Sequence, residues 1–371
     1  MDGNALVAKA RFIGGDERAY LLTAGEGLAP TSAVDAAARY FVDKASGSAG
    51  RRAQDATAFA CREGLAAMLG VDVGDVALLG SASEGVNAIY ALIDWQPGDN
   101  VVVPVDDLEF PSSILPALRR ERLGIEVRRV PHEEWDISPE AIAALVDDRT
   151  RLVFLSHVSY RTGTRIDLQA AADLIRQRNP LTIVAADATQ SLGVVPVPAD
   201  ACDFVVVTTC KWLLGPHGLG VFVWNRRRQP AIEPAGIGWF SVVDDLQFPY
   251  DLKPDAGRFE LGGPNMLGIY ALNEGVQFLL QTGVARITDH VLSLSGHLRE
   301  QLMSLGLPVM TPAGSNRRAG IVAWEDPDCA GTAARLADEG ISVSGSSGRI
   351  RAAIHLYTSR DEVDVLAQAM R

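Results

Sequence analysis

Cys202-Asp203-Phe204-Val205-Val206-Val207-Thr208-Thr209-Cys210-Lys211-Trp212 is an apolar, β-branched run that ends in small hydroxyl residues and delivers one lysine. Leu213-Leu214-Gly215-Pro216-His217-Gly218-Leu219-Gly220 follows as a Gly/Pro-rich turn, then Val221-Phe222-Val223-Trp224 as a second apolar run. The pattern predicts strand, lysine, glycine loop, strand. Lysine is scarce in this chain: Lys9, Lys44, Lys211 and Lys253 are the only four among 34 basic residues. Arginine therefore does nearly all the surface work, and a lysine at the mouth of a buried strand suggests amine chemistry. Of the two residues only lysine loses its proton at moderate cost and forms a Schiff base with a carbonyl. The competing reading is a lysine that snorkels from a strand end to water.

The 371 residues suffice for two domains and a sizeable core. With 47% apolar and 22% charged residues the composition is that of a globular protein. A net charge of -12 argues against nucleic-acid and anionic-membrane partners, which favour a basic face. Cys61, Cys202, Cys210 and Cys329 show neither metal-ligand spacing nor a disulfide framework. No metal is expected, and a reducing cytoplasm fits such cysteines. The segment from Met1 to Arg18 lacks a signal-peptide core, and the apolar runs are strand-sized, too short to span a bilayer.

Outward from residues 202–212, strands alternate with helices. Val76 to Gly80, Asn100 to Pro104, Ile125 to Val130, Arg151 to Ser156 and Thr182 to Asp187 read as strands, with helical stretches between them. Alternation of this kind predicts a mostly parallel sheet covered on both faces. The expected fold is α/β: a three-layer α/β/α large domain over residues 15–281 and a smaller C-terminal α+β domain over 282–371. Residues 1–14 are expected to pack with the smaller domain. In such sheets the ligand sits beyond the carboxyl ends of the strands. Ser83, Phe110, Tyr160, Asp187, Gln190 and Lys211 all fall at those ends. Ser81-Ala82-Ser83-Glu84 is a strand-to-helix turn whose free N–H groups would hold an anion, although a plain N-cap by Ser81 or Ser83 reads equally well. A phosphate cup, a flat aromatic, a buried carboxylate and a lysine amine together match pyridoxal 5′-phosphate. The carboxylate keeps the pyridine nitrogen protonated, and the lysine holds the aldehyde and then moves protons at Cα.

These residues resemble the class V aminotransferase group of fold-type I pyridoxal-phosphate enzymes, which includes cysteine desulfurases, kynureninases and isopenicillin N epimerase-like proteins. The likeness runs from about Tyr20 to the end of the chain. Ser81-Ala82-Ser83-Glu84-Gly85-Val86-Asn87 is similar to the family's Gly-Thr-Thr-Glu-Gly-Ile-Asn turn, implying phosphate contact for Ala82 and Ser83. Asp187-Ala188-Thr189-Gln190 resembles Asp-Gly-Ala-Gln, implying Asp187 on the pyridine nitrogen and Gln190 near the ring hydroxyl. Thr208-Thr209-Cys210-Lys211 is similar to Ser-Gly-His-Lys, implying Lys211 as the Schiff-base lysine and Thr208 as a phosphate ligand. Arg258-Phe259-Glu260-Leu261-Gly262-Gly263-Pro264-Asn265 resembles the segment that reaches a neighbouring subunit's phosphate. It implies a homodimer with shared sites, with Gly263 in the contact. Arg351 falls where the family places its substrate-carboxylate arginine, and Arg349 is the fallback.

Some positions depart from the pattern. Cys210 replaces a phosphate-binding histidine, which weakens or replaces that contact. Phe110 stands for a stacking histidine and is the expected ring-stacking residue. Tyr160 replaces an asparagine and either contacts the ring hydroxyl or only lines the pocket. The resemblance implies an enzyme acting at the Cα of an amino-acid substrate held by Arg351. Transamination is expected first, with C–S or other β-elimination, or epimerisation, as alternatives. Ser342-Val343-Ser344-Gly345-Ser346-Ser347-Gly348 holds no cysteine, where a persulfide-forming desulfurase has a mobile thiol. That activity is therefore not expected. A non-enzymatic phosphate-binding protein on a doubly wound sheet is disfavoured by Lys211 and by the lack of a Gly-x-Gly-x-x-Gly fingerprint.

Overall fold

A computed structural model describes residues 5–105, 108–244 and 246–371; the first four residues of the expected N-terminal piece lie outside them. The strands are β1 (Ala19–Tyr20), β2 (Val76–Leu79), β3 (Asn100–Pro104), β4 (Glu126–Val130), β5 (Thr150–Ser156), β6 (Ile183–Asp187), β7 (Phe204–Thr208), β8 (Gly220–Trp224), β9 (Ile321–Glu325), β10 (Ile341–Ser342), β11 (Ser344–Ser346) and β12 (Arg349–Ala353). The helices are α1 (Ser32–Ala45), α2 (Gly47–Leu69), α3 (Ala82–Ala91), α4 (Pro111–Glu121), α5 (Pro139–Ala144), α6 (Leu168–Arg178), α7 (Met266–Thr282), α8 (Val284–Ser304), α9 (Cys329–Asp338) and α10 (Arg360–Ala369).

Seven strands form the large sheet in the order β2-β8-β7-β6-β5-β3-β4. Only β8 runs against its neighbours; every other pairing is parallel. The strands are buried on both faces. On β7, Phe204 and Val206 face one apolar cluster while Val205 and Val207 face the other. A strand apolar on both faces needs a helical layer on each side. Helices α3 and α4 cover one face; α2, α5, α6 and α7 cover the other. The result is the expected α/β/α sandwich with a mostly parallel sheet.

The second sheet, β11-β12-β9, is antiparallel and shares the larger cluster with the first. The N-terminal segment is stitched to this region. Strand β1 pairs with β10, and the Leu6 and Val7 N–H groups donate to Leu356 O. Leu22 bridges Ala353. The chain then turns through Gly25-Glu26-Gly27 onto the large sheet, where Gly27 N donates to Cys210 O at 2.8 Å. A Cβ on Gly27 would lie 1.9 Å from Lys211 O, so only glycine permits the crossing. Helix α2 starts at Gly47, separated from the end of α1 by one residue. Its first turn packs on the end of α1, where a Cβ at Gly50 would lie 1.6 Å from Asp43 O.

Candidate active site

The carboxyl ends of β2, β5, β6 and β7 open onto a cavity of about 220 Å³. Its walls include Ala82, Ser83, Phe110, Tyr160, Asp187, Gln190, Thr208, Cys210 and Lys211, nine of the expected site residues. They come from loops more than a hundred residues apart, brought together by parallel strands that all end on one side.

Ser81 caps α3, its Oγ accepting from Glu84 N at 3.1 Å. The Ala82 and Ser83 N–H groups have no acceptor among the described residues and belong to the positive end of that helix dipole. Ser83 Oγ lies 2.7 Å from Ser112 Oγ, adding hydroxyls to the same wall. Thr208 ends β7, and its N–H donates to Thr189 Oγ1 at 3.0 Å. Cys210 Sγ is 3.7 Å from Thr208 Oγ1.

Asp187 ends β6 and is 8% exposed. Its Oδ1 accepts from Thr189 N at 2.8 Å, while Ser113 Oγ donates to Oδ2 at 3.4 Å. Behind it lies Glu109, paired through both carboxyl oxygens with Ser156, the register partner of Asp187. Burial pushes the Glu109 carboxyl up to about 8, so it keeps its proton at neutral pH. Gln190 is engaged at both ends: Nε2 donates to Ala24 O at 3.1 Å, and Oε1 accepts from Trp212 Nε1 at 2.7 Å. This fixes the loop that carries Lys211 against the N-terminal crossing.

Lys211 Nζ sits 5.2 Å from the Phe110 ring centroid. Burial lowers its pKa, and Arg351 pushes the same way, while Asp187, Cys210 and Glu26 resist. A desolvated lysine carries more neutral amine, the form that attacks carbonyls and takes protons. Phe110 is 42% exposed and meets the Tyr160 ring edge-on at 5.5 Å. Arg351, 9% exposed on β12, donates from Nη1 to Tyr160 O at 2.7 Å. Its Nη2 lies 4.0 Å from where a Cβ on Gly25 would stand, at the cavity edge. Gly263 is elsewhere: it is exposed and lines a separate cleft with Arg62 and Phe240.

The residues present fit pyridoxal phosphate: unpaired helix-terminal donors at one end, an acceptor carboxylate at another, an aromatic face and a desolvated amine. Residues that sequence reasoning passed over also line the cavity, among them Gly25, Ser112, Ser156, Thr189 and His217. His217 Nε2 pairs with Glu26 at 2.8 Å, and atoms of Glu26, Cys210 and His217 able to bind a metal lie within 4.8 Å of one another. The Gly25-Glu26-Gly27 run was the available signal, since two glycines around one residue mark a close backbone approach.

The chain resembles known proteins throughout. It is 27% identical to a probable cysteine desulfurase of Methanothermobacter thermautotrophicus over 83% of this chain and 82% of that one. It is 29% identical to a cysteine desulfurase of Salmonella choleraesuis over 78% of this chain and 75% of the other. Among solved structures, the apo cysteine desulfurase of Thermococcus onnurineus NA1 superposes with a TM-score of 0.88 at 23% identity, covering 98% and 96% of the two chains. A C-DES variant with glycine covalently linked to its pyridoxal-phosphate cofactor gives 0.88 at 23% identity, covering 98% of each. These two likenesses are of fold, and the fold is type I of the pyridoxal-phosphate enzymes.

The relatives overturn two expectations. Transamination was placed first, and a persulfide-forming desulfurase was excluded because residues 342–348 hold no cysteine; the curated relatives at 27% and 29% identity are cysteine desulfurases, beside an uncharacterised aminotransferase of Bacillus subtilis at 26%. The physical reason is that a loop thiol is the acceptor that takes sulfur directly from the bound substrate, whereas loss of sulfur from Cβ by elimination needs only a base at Cα and the electron sink of the cofactor, so a missing loop cysteine does not argue against C–S cleavage. The pyridoxal-phosphate assignment stands. The family model for class-V aminotransferases matches residues 19–366, and the chain belongs to that family.

Proposed function

We propose that the chain is a pyridoxal-phosphate-dependent C–S lyase acting on cysteine or a related β-thio amino acid. The observation that carries this reading is the desolvated Lys211 amine, set in one cavity with Asp187 and the first turn of α3. The reaction named for the curated relatives supports the choice of bond.

Bound in this cavity, the cofactor supplies an electron sink for the pair left at the substrate Cα. The Ala82 and Ser83 N–H groups and Thr208 would hold its phosphate, Asp187 would accept from its ring N–H, and Phe110 would cover the ring. Arg351 pairs with the substrate carboxylate and fixes which Cα bond faces the lysine. Lys211 Nζ takes the Cα proton, and the sulfur then leaves Cβ with the bonding pair. Cys210 is 6% exposed and replaces a charged or hydrogen-bonding neighbour with a soft thiol at the phosphate end. The site works within a homodimer in this reading, with Gly263 near the partner's phosphate. Exposed Trp239 and Leu261 around that segment support it. A cytoplasmic location accords with four free, buried cysteines. Among the described residues no helix is long and apolar enough to cross a membrane.

The test is an absorbance spectrum with and without borohydride, followed by incubation with L-cysteine. A yellow band bleached by borohydride, and sulfide release that the Lys211→Ala protein lacks, are the expected results. A banded protein that releases no sulfur from any β-thio amino acid would sink the lyase reading.

A further inference from the structure

Arg349 and Arg351 lie two residues apart on β12 and so project from the same face of the strand. They are 3% and 9% exposed. Among the described residues neither forms an ion pair, and the charged neighbour that acts on each is another arginine, Arg161 on Arg349 and Arg349 on Arg351. Backbone carbonyls hold them, with the Tyr160 side chain also bonding to Arg349: Arg349 donates to Arg161 O at 3.0 Å and to Ser346 O at 3.1 Å, and Arg351 to Tyr160 O at 2.7 Å. The Arg349 guanidinium stands 5.3 Å from the ring centroid of Tyr160, a residue of the cavity wall. Arg161 adds a third cation, close enough to act on Arg349, with its Nε buried and unpartnered among the described residues.

A buried guanidinium without a counter-charge is costly, and two side by side are more so. Structures retain such groups where an anion arrives to pair with them. One substrate α-carboxylate answers Arg351 and leaves Arg349 and Arg161 uncompensated. We infer that the substrate carries a second anionic group beyond its β-sulfur, received by Arg349 on the Tyr160 side of the cavity. This rests on the lyase reading and narrows it to dianionic β-thio amino acids.

A matched pair of probes tests it: S-carboxymethyl-L-cysteine, with the second carboxylate, and S-methyl-L-cysteine, without it. Their dissociation constants are measured by calorimetry on the cofactor-loaded Lys211→Ala protein, and sulfur release from L-cysteine is measured on the otherwise unaltered holoenzyme. The expected result is tighter binding of the carboxymethyl compound by about tenfold or more, as for a charge-assisted hydrogen bond. Adding Arg349→Gln should collapse that ratio toward one. Arg349→Lys, which keeps the charge, should retain part of it, separating lost charge from lost folding. Equal affinities in the parent protein, or a preference that survives Arg349→Gln, overturn the inference while sulfur release leaves the lyase reading intact. Absence of both binding and sulfur release overturns the two together.

Discussion

Asp187 lines the cavity and Glu109 lies buried behind it, so two neighbouring carboxyl groups meet different surroundings. Asp187 opens to the cavity, whereas Glu109 is enclosed behind it and held by Ser156. Desolvation raises the Glu109 carboxyl from the usual 4.5 to about 8, with the Asp187 charge adding to the rise. An acid raised in the fold keeps its proton there, while the unfolded chain releases it above about 4.5. Proton binding thus favours the native state below that value, and stability falls as pH climbs from about 4.5 to about 8 before levelling. Glu109→Gln is uncharged throughout and keeps a polar group for Ser156. Thermal midpoints at about pH 5 and about pH 8 should drop less for the variant than for the parent protein. An equal drop would show that Glu109 is not protonated in the fold. Sequence could not expose this residue: the acid is one of 46 acidic side chains, and burial is what sets it apart. Lys211 was legible because scarcity and a strand end both marked it.

At the scale of elements, the proposed phosphate end depends on how closely β8 approaches the start of α3. Gly220 pairs with Leu79 on one side and Thr208 on the other, beneath the turn from β2 into the helix. A Cβ there would lie 2.2 Å from the Ser81 carbonyl carbon and 2.4 Å from Ala82 N. Neither neighbour is a flexible side chain, so Gly220→Ala must displace the backbone that carries the Ala82 and Ser83 donors. The expected cost is about 1–3 kcal/mol in stability, with weaker retention of pyridoxal phosphate on dialysis. Unchanged retention in a folded variant would remove the first turn of α3 from the phosphate site. The strands around this point were readable from their β-branched runs, because both faces of a parallel sheet are buried and the chain must say so in apolar residues. The first turn of helix α2, Gly47-Ser48-Ala49-Gly50, has the composition of a loop. Its glycine serves a close helix crossing, a tertiary demand that overrides local propensity. The N-terminal crossing over Lys211 left only the Gly25-Glu26-Gly27 run as a signal, because its partner is nearly two hundred residues away.

Across the whole molecule, the N-terminal segment ties the small sheet to the floor of the cavity, and one buried ion pair anchors it. Lys9 Nζ meets Glu362 Oε1 at 2.6 Å and also donates to Arg18 O at 2.8 Å. Glu362 in turn closes the capping box of α10, its Oε2 accepting from Ser359 N at 2.7 Å. Both side chains are almost fully enclosed. From this anchor the segment runs through β1 and Leu22 to Gly27, which rests on the Cys210 and Lys211 backbone. Removing one partner strands a buried charge, so Lys9→Met should lower unfolding free energy in urea by about 3–5 kcal/mol. Replacing both, as Lys9→Met with Glu362→Gln, leaves no unpaired charge and should recover most of that loss. Because the segment ends on the lysine loop, the single variant should also release pyridoxal phosphate more readily than the double. A double variant no more stable than Lys9→Met would mean that packing of the segment, and not its charge pairing, holds the two sheets together.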